Sequence, residues 1–221
     1  MLVITADQIR SRQGADLAGS ALEELNRRFG DQLILPVDRN AGDEIQVIAP
    51  NGSVALEIIL VLARSGHWSI GLGAGTIRTP LPRATREASG TAFIAARNAI
   101  VRAKKRDTHF AVEEEDEDTA RGRARTSAAD AEALIDLLLS LRSRRTAEGW
   151  ELFDGIASGL NQSEIARKLG VSAQAISSRA KIAGIRIELA SHRALTRLLD
   201  ELGRDRWAPA AEEPRTERPH A

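Results

Sequence analysis

The sequence predicts an α+β fold, in which a sheet-forming half is followed by an all-helical half. Short apolar runs of strand length alternate with amphipathic segments of helical spacing over residues 1–112. A charged stretch without apolar periodicity follows over residues 113–126, and beyond it apolar residues recur only at helical spacing. We therefore predict a sheet domain at 1–112, a linker at 113–126, a helical domain at 127–206 and a disordered tail at 207–221.

The first half is predicted to follow the order βαββαβαβ. Its strands are expected where short apolar runs are bounded by turn-forming residues, at 2–6, 33–37, 45–48, 68–72 and 108–112. Its helices are expected where apolar residues recur every three or four positions, at 16–29, 53–64 and 92–103. The order begins with the βαββαβ unit of a ferredoxin-like fold, in which the first strand lies beside the third and the helices cover one face of the sheet.

Three carboxylates are predicted to converge at one edge of this sheet. Asp7 ends the first strand, while Asp43 and Glu44 begin the third, which runs antiparallel to it. Clustered carboxylates repel each other unless a cation joins them, and Mg²⁺ held together with the phosphates of a nucleotide is a common solution. The alternative is that Asp7, Asp43 and Glu44 are solvated turn residues. Position alone leaves both interpretations open.

Residues 161–182 predict a helix-turn-helix. Asn161 can cap a first helix with Glu164 reaching back to it, Gly170 can end that helix, and Ser172 can cap a second. The pattern predicts binding to double-stranded DNA, with an ordinary helical hairpin as the alternative. Phosphate contacts are expected from Arg167, Lys168, Arg179 and Lys181, and contacts to base edges from Gln174, Ser177 and Ser178.

Composition excludes several classes of protein. The 31 basic and 31 acidic residues cancel, so no overall field draws the chain to nucleic acid or to an anionic membrane. The absence of cysteine excludes disulfides and thiolate metal sites, and no apolar run is long enough for a membrane span, so we expect a cytoplasmic protein. The acidic run at 113–118 is interpreted as part of a solvated linker, with mimicry of DNA as the alternative.

Common catalytic signatures are also missing. The four histidines are scattered, and neither a Walker loop nor a Ser-His-Asp order is present. The glycine-rich run at 71–75 lies inside a predicted strand with no helix directly after it, so it is a poor dinucleotide fingerprint. Close approach of the backbone to a base or to a neighbouring helix explains these glycines equally well.

The segments ADQIRSR, AGDEIQ, IGLGAG and GTAFIAAR, in this order and spacing, resemble the SatD family of bacterial proteins. The resemblance covers most of residues 1–105 and also the helix-turn-helix. More distantly, the same segments are similar to the catalytic domains of class III nucleotide cyclases and diguanylate cyclases. In those enzymes an Asp ending the first strand and an Asp in the hairpin bind two metal ions against a triphosphate, and Asp7 and Asp43 match these positions.

This resemblance implies a nucleotide site. Backbone amides from Gln8 to Arg12 would cradle phosphates, Arg12 would add charge, and Arg97 matches an arginine that stabilises the transition state in the cyclases. The cyclases also carry an Asn four residues after the glycine that matches Gly90, whereas this chain has Ile94. An isoleucine side chain cannot donate a hydrogen bond to the transition state, so the departure predicts a site that binds without turnover.

Two functions follow from these features. The first is a DNA-binding transcription regulator, by default a homodimer, whose catalytically degenerate cyclase-like domain senses a nucleotide. The alternative is a Mg²⁺-dependent nucleotidyl cyclase or nucleotidyltransferase with an accessory helix-turn-helix. Mg²⁺ and a nucleotide are the expected cofactors, with Asp7, Asp43 and Glu44 as the metal ligands.

Overall fold

The computed structural model describes residues 1–11, 16–40, 42–114 and 128–204. Arg12, most of the predicted linker and the predicted tail lie outside these ranges. The described sheet contains the strands β1 (Leu2–Gln8), β2 (Asp38–Arg39), β3 (Glu44–Ala49), β4 (Trp68–Ala74) and β5 (Phe110–Glu114). The described helices are α1 (Ala18–Phe29), α2 (Gly52–Ser65), α3 (Thr91–Ala103), α4 (Ala128–Ser143), α5 (Ala147–Ala157), α6 (Gln162–Leu169), α7 (Ala173–Ile182) and α8 (Ile185–Gly203).

The sheet is mixed, in the order β2-β3-β1-β4-β5. β1 pairs antiparallel with both β3 and β4, and β5 adds to β4 in parallel. Thus the first strand lies beside the third, as predicted, and the α+β fold class is confirmed. The parallel pairing of β4 with β5 is decisive for the site, because both strands begin at the edge of the sheet where β1 ends.

The second strand lies later in the chain than predicted. The apolar run at 33–37 is not a strand; β2 is the short segment Asp38–Arg39. The side chain of Asn26 explains the difference, since its amide donates to the Val37 carbonyl at 3.0 Å and its oxygen accepts from the Val37 N–H at 2.8 Å. Both backbone polar groups of Val37 are therefore used by a helix, and Pro36 before it has no N–H to give to a ladder.

The prediction that helices cover one face of the sheet is wrong, because α3 lies on the face opposite α2. Val3 and Ile48 pack with Ala92 and Ala96 of α3 on that face, whereas Ile4 of β1 packs with the α2 side. The strands alternate between two buried faces, so both need a cover.

The glycines of β4 allow α3 to lie directly on the strand. A Cβ at Gly73 would be 2.2 Å from both the Ala92 carbonyl oxygen and the Ala96 nitrogen, and a Cβ at Gly71 would be 2.5 Å from the Ala96 carbonyl oxygen. Of the explanations for this glycine-rich run, close approach of a neighbouring helix is the one that the structure supports. The helix backbone occupies the space where side chains would stand.

The helices of the second half belong to two different cores. Ile135 and Leu139 of α4 and Leu195 and Leu199 of α8 pack into the same core as α2 and the sheet. The helices α5, α6 and α7 surround a separate small core that includes Leu152, Ile165 and Ile176. The gap between the two cores therefore does not coincide with the charged stretch at 113–126.

A buried ion cluster lies where the two cores meet. Glu188 of α8 is fully buried and accepts hydrogen bonds from Arg142 of α4 and, at 2.5 Å, from Arg145. Arg142 also donates to the Leu60 carbonyl of α2, and both guanidinium groups lie within 5 Å of the ring centroid of Trp150 in α5. One carboxylate thus joins α8 to α4 and to the start of α5.

The cluster holds Glu188 in its charged form. Burial acts to raise the pKa of Glu188, but His192, Arg145 and Arg142 act against it, and together they lower the pKa to about 2. We assign most of the lowering to the two arginines, because His192 Nε2 lies 3.8 Å from the carboxylate, beyond hydrogen-bond distance.

We expect Gly73→Ala to destabilise the protein by about 3 kcal/mol, at the upper end of the cost of overpacking, because the new methyl group meets the α3 backbone. The matched control is Gly19→Ala in α1, where a Cβ meets nothing within 4 Å. That control should be neutral or stabilise by up to about 1 kcal/mol. Urea denaturation measures the free energy of unfolding of both variants. Equal values for the two would contradict the packing described for α3.

We expect Glu188→Gln to lower the free energy of unfolding by about 3–5 kcal/mol at neutral pH, because two buried arginines lose their counter-charge. A group whose pKa is depressed on folding stabilises the protein above its unfolded pKa and loses that effect as the pH falls. The difference between wild type and variant should therefore shrink from pH 4.5 towards about pH 2.

Denaturation at several pH values measures this difference, and Glu57→Ala on the exposed side of α2 is the control. A difference that stays constant with pH would contradict an ionic role for Glu188.

Candidate functional site

Two of the three predicted carboxylates, Asp7 and Asp43, border a cleft of about 520 Å³ at the edge of the sheet where β1 ends. In the antiparallel register Asp7 lies opposite Glu44 of β3 and opposite Ser69 of β4. The charged and polar groups that line the cleft include Asp7, Arg10, Ser11, Asp43, Lys104 and His109. The structure therefore brings Asp7 and Asp43 to one cavity, and we refer to it below as the carboxylate cleft.

Two of the three predicted metal ligands are already paired with cations of the protein. Lys104, just after α3, donates to the Asp7 carboxylate at 2.6 Å. Glu44 accepts from the Asn40 side-chain amide at 2.7 Å, and its carboxylate lies 3.7 Å from the guanidinium of Arg97. Arg97 thus reaches the predicted site, where it pairs with a carboxylate.

These side chains do not fit a metal ion in this arrangement. Over the four described ranges, no group of three or more His, Cys, Asp or Glu residues is placed to hold a metal. Mg²⁺ requires near-octahedral oxygen ligands, whereas the Asp7 carboxylate here already contacts an ammonium group. The side chains described do not assemble the predicted ligand set of Asp7, Asp43 and Glu44.

The backbone amides directly after Asp7 are not free to cradle phosphates, contrary to the expectation for Gln8. The Gln8 N–H donates to the Asp43 carbonyl at 3.3 Å, and the Ile9 N–H donates to the His67 carbonyl at 2.8 Å. The Gln8 side chain is buried, and its oxygen accepts from the Leu17 N–H at 2.9 Å. These groups are used because β1 continues to pair with its neighbours up to its end.

Sequence reasoning missed three side chains of the cleft, those of Arg10, Lys104 and His109. Arg10 lies on its wall in a left-handed backbone conformation, with φ at 58°. His109 lies there too, and its Nδ1 is buried without a hydrogen-bond partner among the described residues. Arg10 follows directly after β1, whereas the signal that predicts Lys104 and His109 is topological: in a parallel crossover from β4 to β5, the segment after α3 returns to the edge where β4 begins.

The second candidate surface is the helix pair α6–α7. The side chain of Asn161 accepts from the Glu164 N–H and the Glu164 carboxylate accepts from the Asn161 N–H, so the predicted capping box is present. Gly170 ends α6 with φ at 65°, and Ser172 caps α7 by accepting from the Ala175 N–H at 3.1 Å.

The helix pair has a buried apolar face and an exposed polar face, as the sequence predicts. Ile165 and Ala166 of α6 and Ile176 and Ala180 of α7 are buried in the small core. Six of the seven residues predicted to contact DNA are exposed, and Arg179 is partly buried. The six are Arg167, Lys168, Gln174, Ser177, Ser178 and Lys181. The pair therefore presents exposed polar side chains on helices that are supported by their own core.

A bidentate ion pair connects the helix pair's core to the sheet. Arg64 at the end of α2 donates to both carboxylate oxygens of Asp154 in α5, at 2.6 and 2.7 Å. Its guanidinium also lies 4.2 Å from the ring centroid of Trp150. The hydrogen bonds and charge of Arg64 lower the pKa of Asp154. The contact fixes α5 against α2, and α5 in turn packs on α6 and α7.

Among the described helices none has the length and apolar content to cross a membrane. Comparison with family models matches residues 2–199 to the model described as the SatD family. Searches of curated proteins and of solved structures found no match. The matched range includes both the carboxylate cleft and the helix pair.

Proposed function

This chain belongs to the SatD family, and we propose that it is a DNA-binding transcription regulator whose sheet domain senses a nucleotide. In this proposal the helix pair α6–α7 is a helix-turn-helix that enters the major groove of double-stranded DNA. The sheet, with the ferredoxin-like and cyclase-like order of elements, carries the nucleotide site in the carboxylate cleft.

One observation carries the DNA-binding part: α7 projects polar side chains from a helix that is fixed by its own core. Gln174, Ser177, Ser178 and Lys181 are exposed, whereas Ile176 and Ala180 of the same helix are buried. A recognition helix needs side chains that donate and accept at base edges on a rigid support.

The same surface predicts modest affinity. Lys181 is the exposed cation on α7, and Arg179 is partly buried, so phosphate contacts depend strongly on Arg167 and Lys168 of α6. Few phosphate contacts mean weak binding by one copy, with only a shallow dependence on salt. We therefore propose that a homodimer binds a two-fold symmetric site, since two half-sites combine two weak contacts.

The sensing part is supported by the size and chemistry of the carboxylate cleft. A volume of about 520 Å³ is sufficient for a small ligand, and both acidic and basic side chains line the cleft. The contact of Arg64 with Asp154 provides a physical connection from the sheet domain to the helix pair. A ligand that changes the position of the sheet's helices could thereby change the orientation of α6 and α7.

We expect Lys181→Ala to weaken binding to all duplexes alike and to reduce the salt slope of the binding constant by about one, because one phosphate contact is lost. Gln174→Ala should instead reduce the preference among sequences, at a cost of about 1–3 kcal/mol at the preferred site. Lys105→Ala, an exposed cation at the end of α3, is the control and should bind as wild type does.

Gel-shift titration against genomic fragments from upstream of the protein's own gene and against random duplex measures these effects. A wild-type protein without preference over random duplex at moderate salt would overturn the DNA-binding proposal.

The alternative is an enzyme, a Mg²⁺-dependent cyclase or nucleotidyltransferase, and one incubation separates it from a sensor. We expect each nucleoside triphosphate to remain unaltered in the presence of Mg²⁺ or Mn²⁺, because Ile94 cannot supply the hydrogen bond that the cyclases use. Chromatography of the nucleotides measures turnover. Product formation that Asp43→Ala abolishes would favour the enzyme.

A further inference from the structure

The ammonium group of Lys104 lies where a metal ion bound to Asp7 would be expected. Its Nζ is 2.6 Å from the Asp7 carboxylate, a distance typical of a strong charge-assisted hydrogen bond. The Asp7 side chain is 20% exposed and the Lys104 side chain 48% exposed, so the carboxylate end of the pair is partly shielded from water. A pair in this environment is screened less by salt than a pair on the open surface.

The neighbouring carboxylate, Glu44, also has a cation beside it, although the Arg97 side chain is 63% exposed and lies beyond hydrogen-bond distance. Glu44 faces the Arg97 guanidinium at 3.7 Å and is itself only 16% exposed. Asp7 and Glu44 are directly opposite each other in the register of β1 and β3. Two carboxylates on directly opposite residues repel unless cations lie between or beside them. Here the chain provides one cation for each.

We infer that Lys104 takes the place of a divalent cation in the carboxylate cleft, which therefore binds phosphate groups directly and without metal. The inference deepens the proposed sensing of a nucleotide and depends on it for the identity of the ligand. The replacement of a divalent cation by Lys104 can be tested separately from the identity of the ligand.

The remaining donors of the cleft suit a phosphate. A lysine ammonium has three N–H donors, so Lys104 can keep its bond to Asp7 and still donate to a phosphate oxygen. Arg10, on the same wall, offers a planar fork that matches phosphate geometry. The buried Nδ1 of His109, which has no partner in the described part of the chain, is a third polar group at this wall.

Charge favours this interpretation over a cation site. The carboxylates of Asp7 and Asp43 are balanced in charge by Arg10 and Lys104 along the lining. A phosphate therefore enters without net repulsion. Without Lys104 the same lining would be net negative, and a divalent cation would be attracted in its place.

The first test measures metal alone. Electron paramagnetic resonance of Mn²⁺ with the full chain should detect no specific binding by wild type. Lys104→Ala should bind Mn²⁺ in about the millimolar range of an exposed carboxylate site, because Asp7 and Asp43 then lack their ammonium. The double variant Asp7→Asn with Lys104→Ala should lose this binding again. Lys105→Ala is the control and should behave as wild type.

Either of two outcomes would overturn the substitution of lysine for metal. One is binding of Mn²⁺ by wild type at a site that Asp7→Asn removes, and the other is failure of Lys104→Ala to bind any Mn²⁺. Both concern the cation and leave the sensing of a nucleotide undecided, so they are distinguishable from a failure of the proposed function.

The second test measures the binding of inorganic tripolyphosphate in excess EDTA by isothermal titration calorimetry. Wild type should bind it without metal, and Lys104→Ala should bind about tenfold more weakly, as for the loss of one charge-assisted hydrogen bond. Binding that appears only with Mg²⁺ would overturn the inference but keep a nucleotide sensor. Absence of binding under both conditions would overturn the phosphate site and the proposed sensing together.

Discussion

The burial of one carboxylate, Glu188, between two arginines is the constraint on which the arrangement of the helices depends. A charge without partners would be very costly at this depth, so Arg142 and Arg145 must stay within hydrogen-bond distance of it. Arg142 comes from α4, Arg145 precedes α5, and Glu188 is on α8. The three residues therefore fix where the second half of the chain meets the sheet. Trp150 lies against both guanidinium groups and brings α5 into the same junction.

The two candidate surfaces differ in how far apart their residues lie in the sequence, and we therefore expect different roles for them. The carboxylate cleft is formed by residues far apart in sequence, such as Asp7 and Lys104, which only the sheet topology brings together. The helix pair α6–α7 is local: its caps, turn and buried stripe lie within a short stretch, 161–182. A ligand site assembled from distant elements responds to shifts among them, whereas a capped helix pair moves as a unit. Arg64 provides the contact between the two parts.

Local patterns predicted much of this molecule. The pairing of the first strand with the third, the capping box at Asn161 and the exposed side of α7 all agree with the sequence, because each depends on a periodicity or a cap within a few residues. The second strand was misplaced since a side chain from α1, Asn26, takes the hydrogen bonds of Val37. The sequence does not predict that helices cover both faces of the sheet. Gly73 is compatible with close approach of a helix, but it does not indicate which helix approaches or on which face.

The sequence by itself determined the fold class, the helix pair and the meeting of Asp7 with Asp43 at one edge, since these follow from apolar spacing and strand direction. Tertiary structure alone decided what neutralises the carboxylates. Lys104 is 97 residues from Asp7 along the chain, and only the parallel pairing of β5 with β4 returns it to that edge. The charge partner of a partly buried carboxylate depends on which distant segment arrives beside it, and no local pattern records that contact.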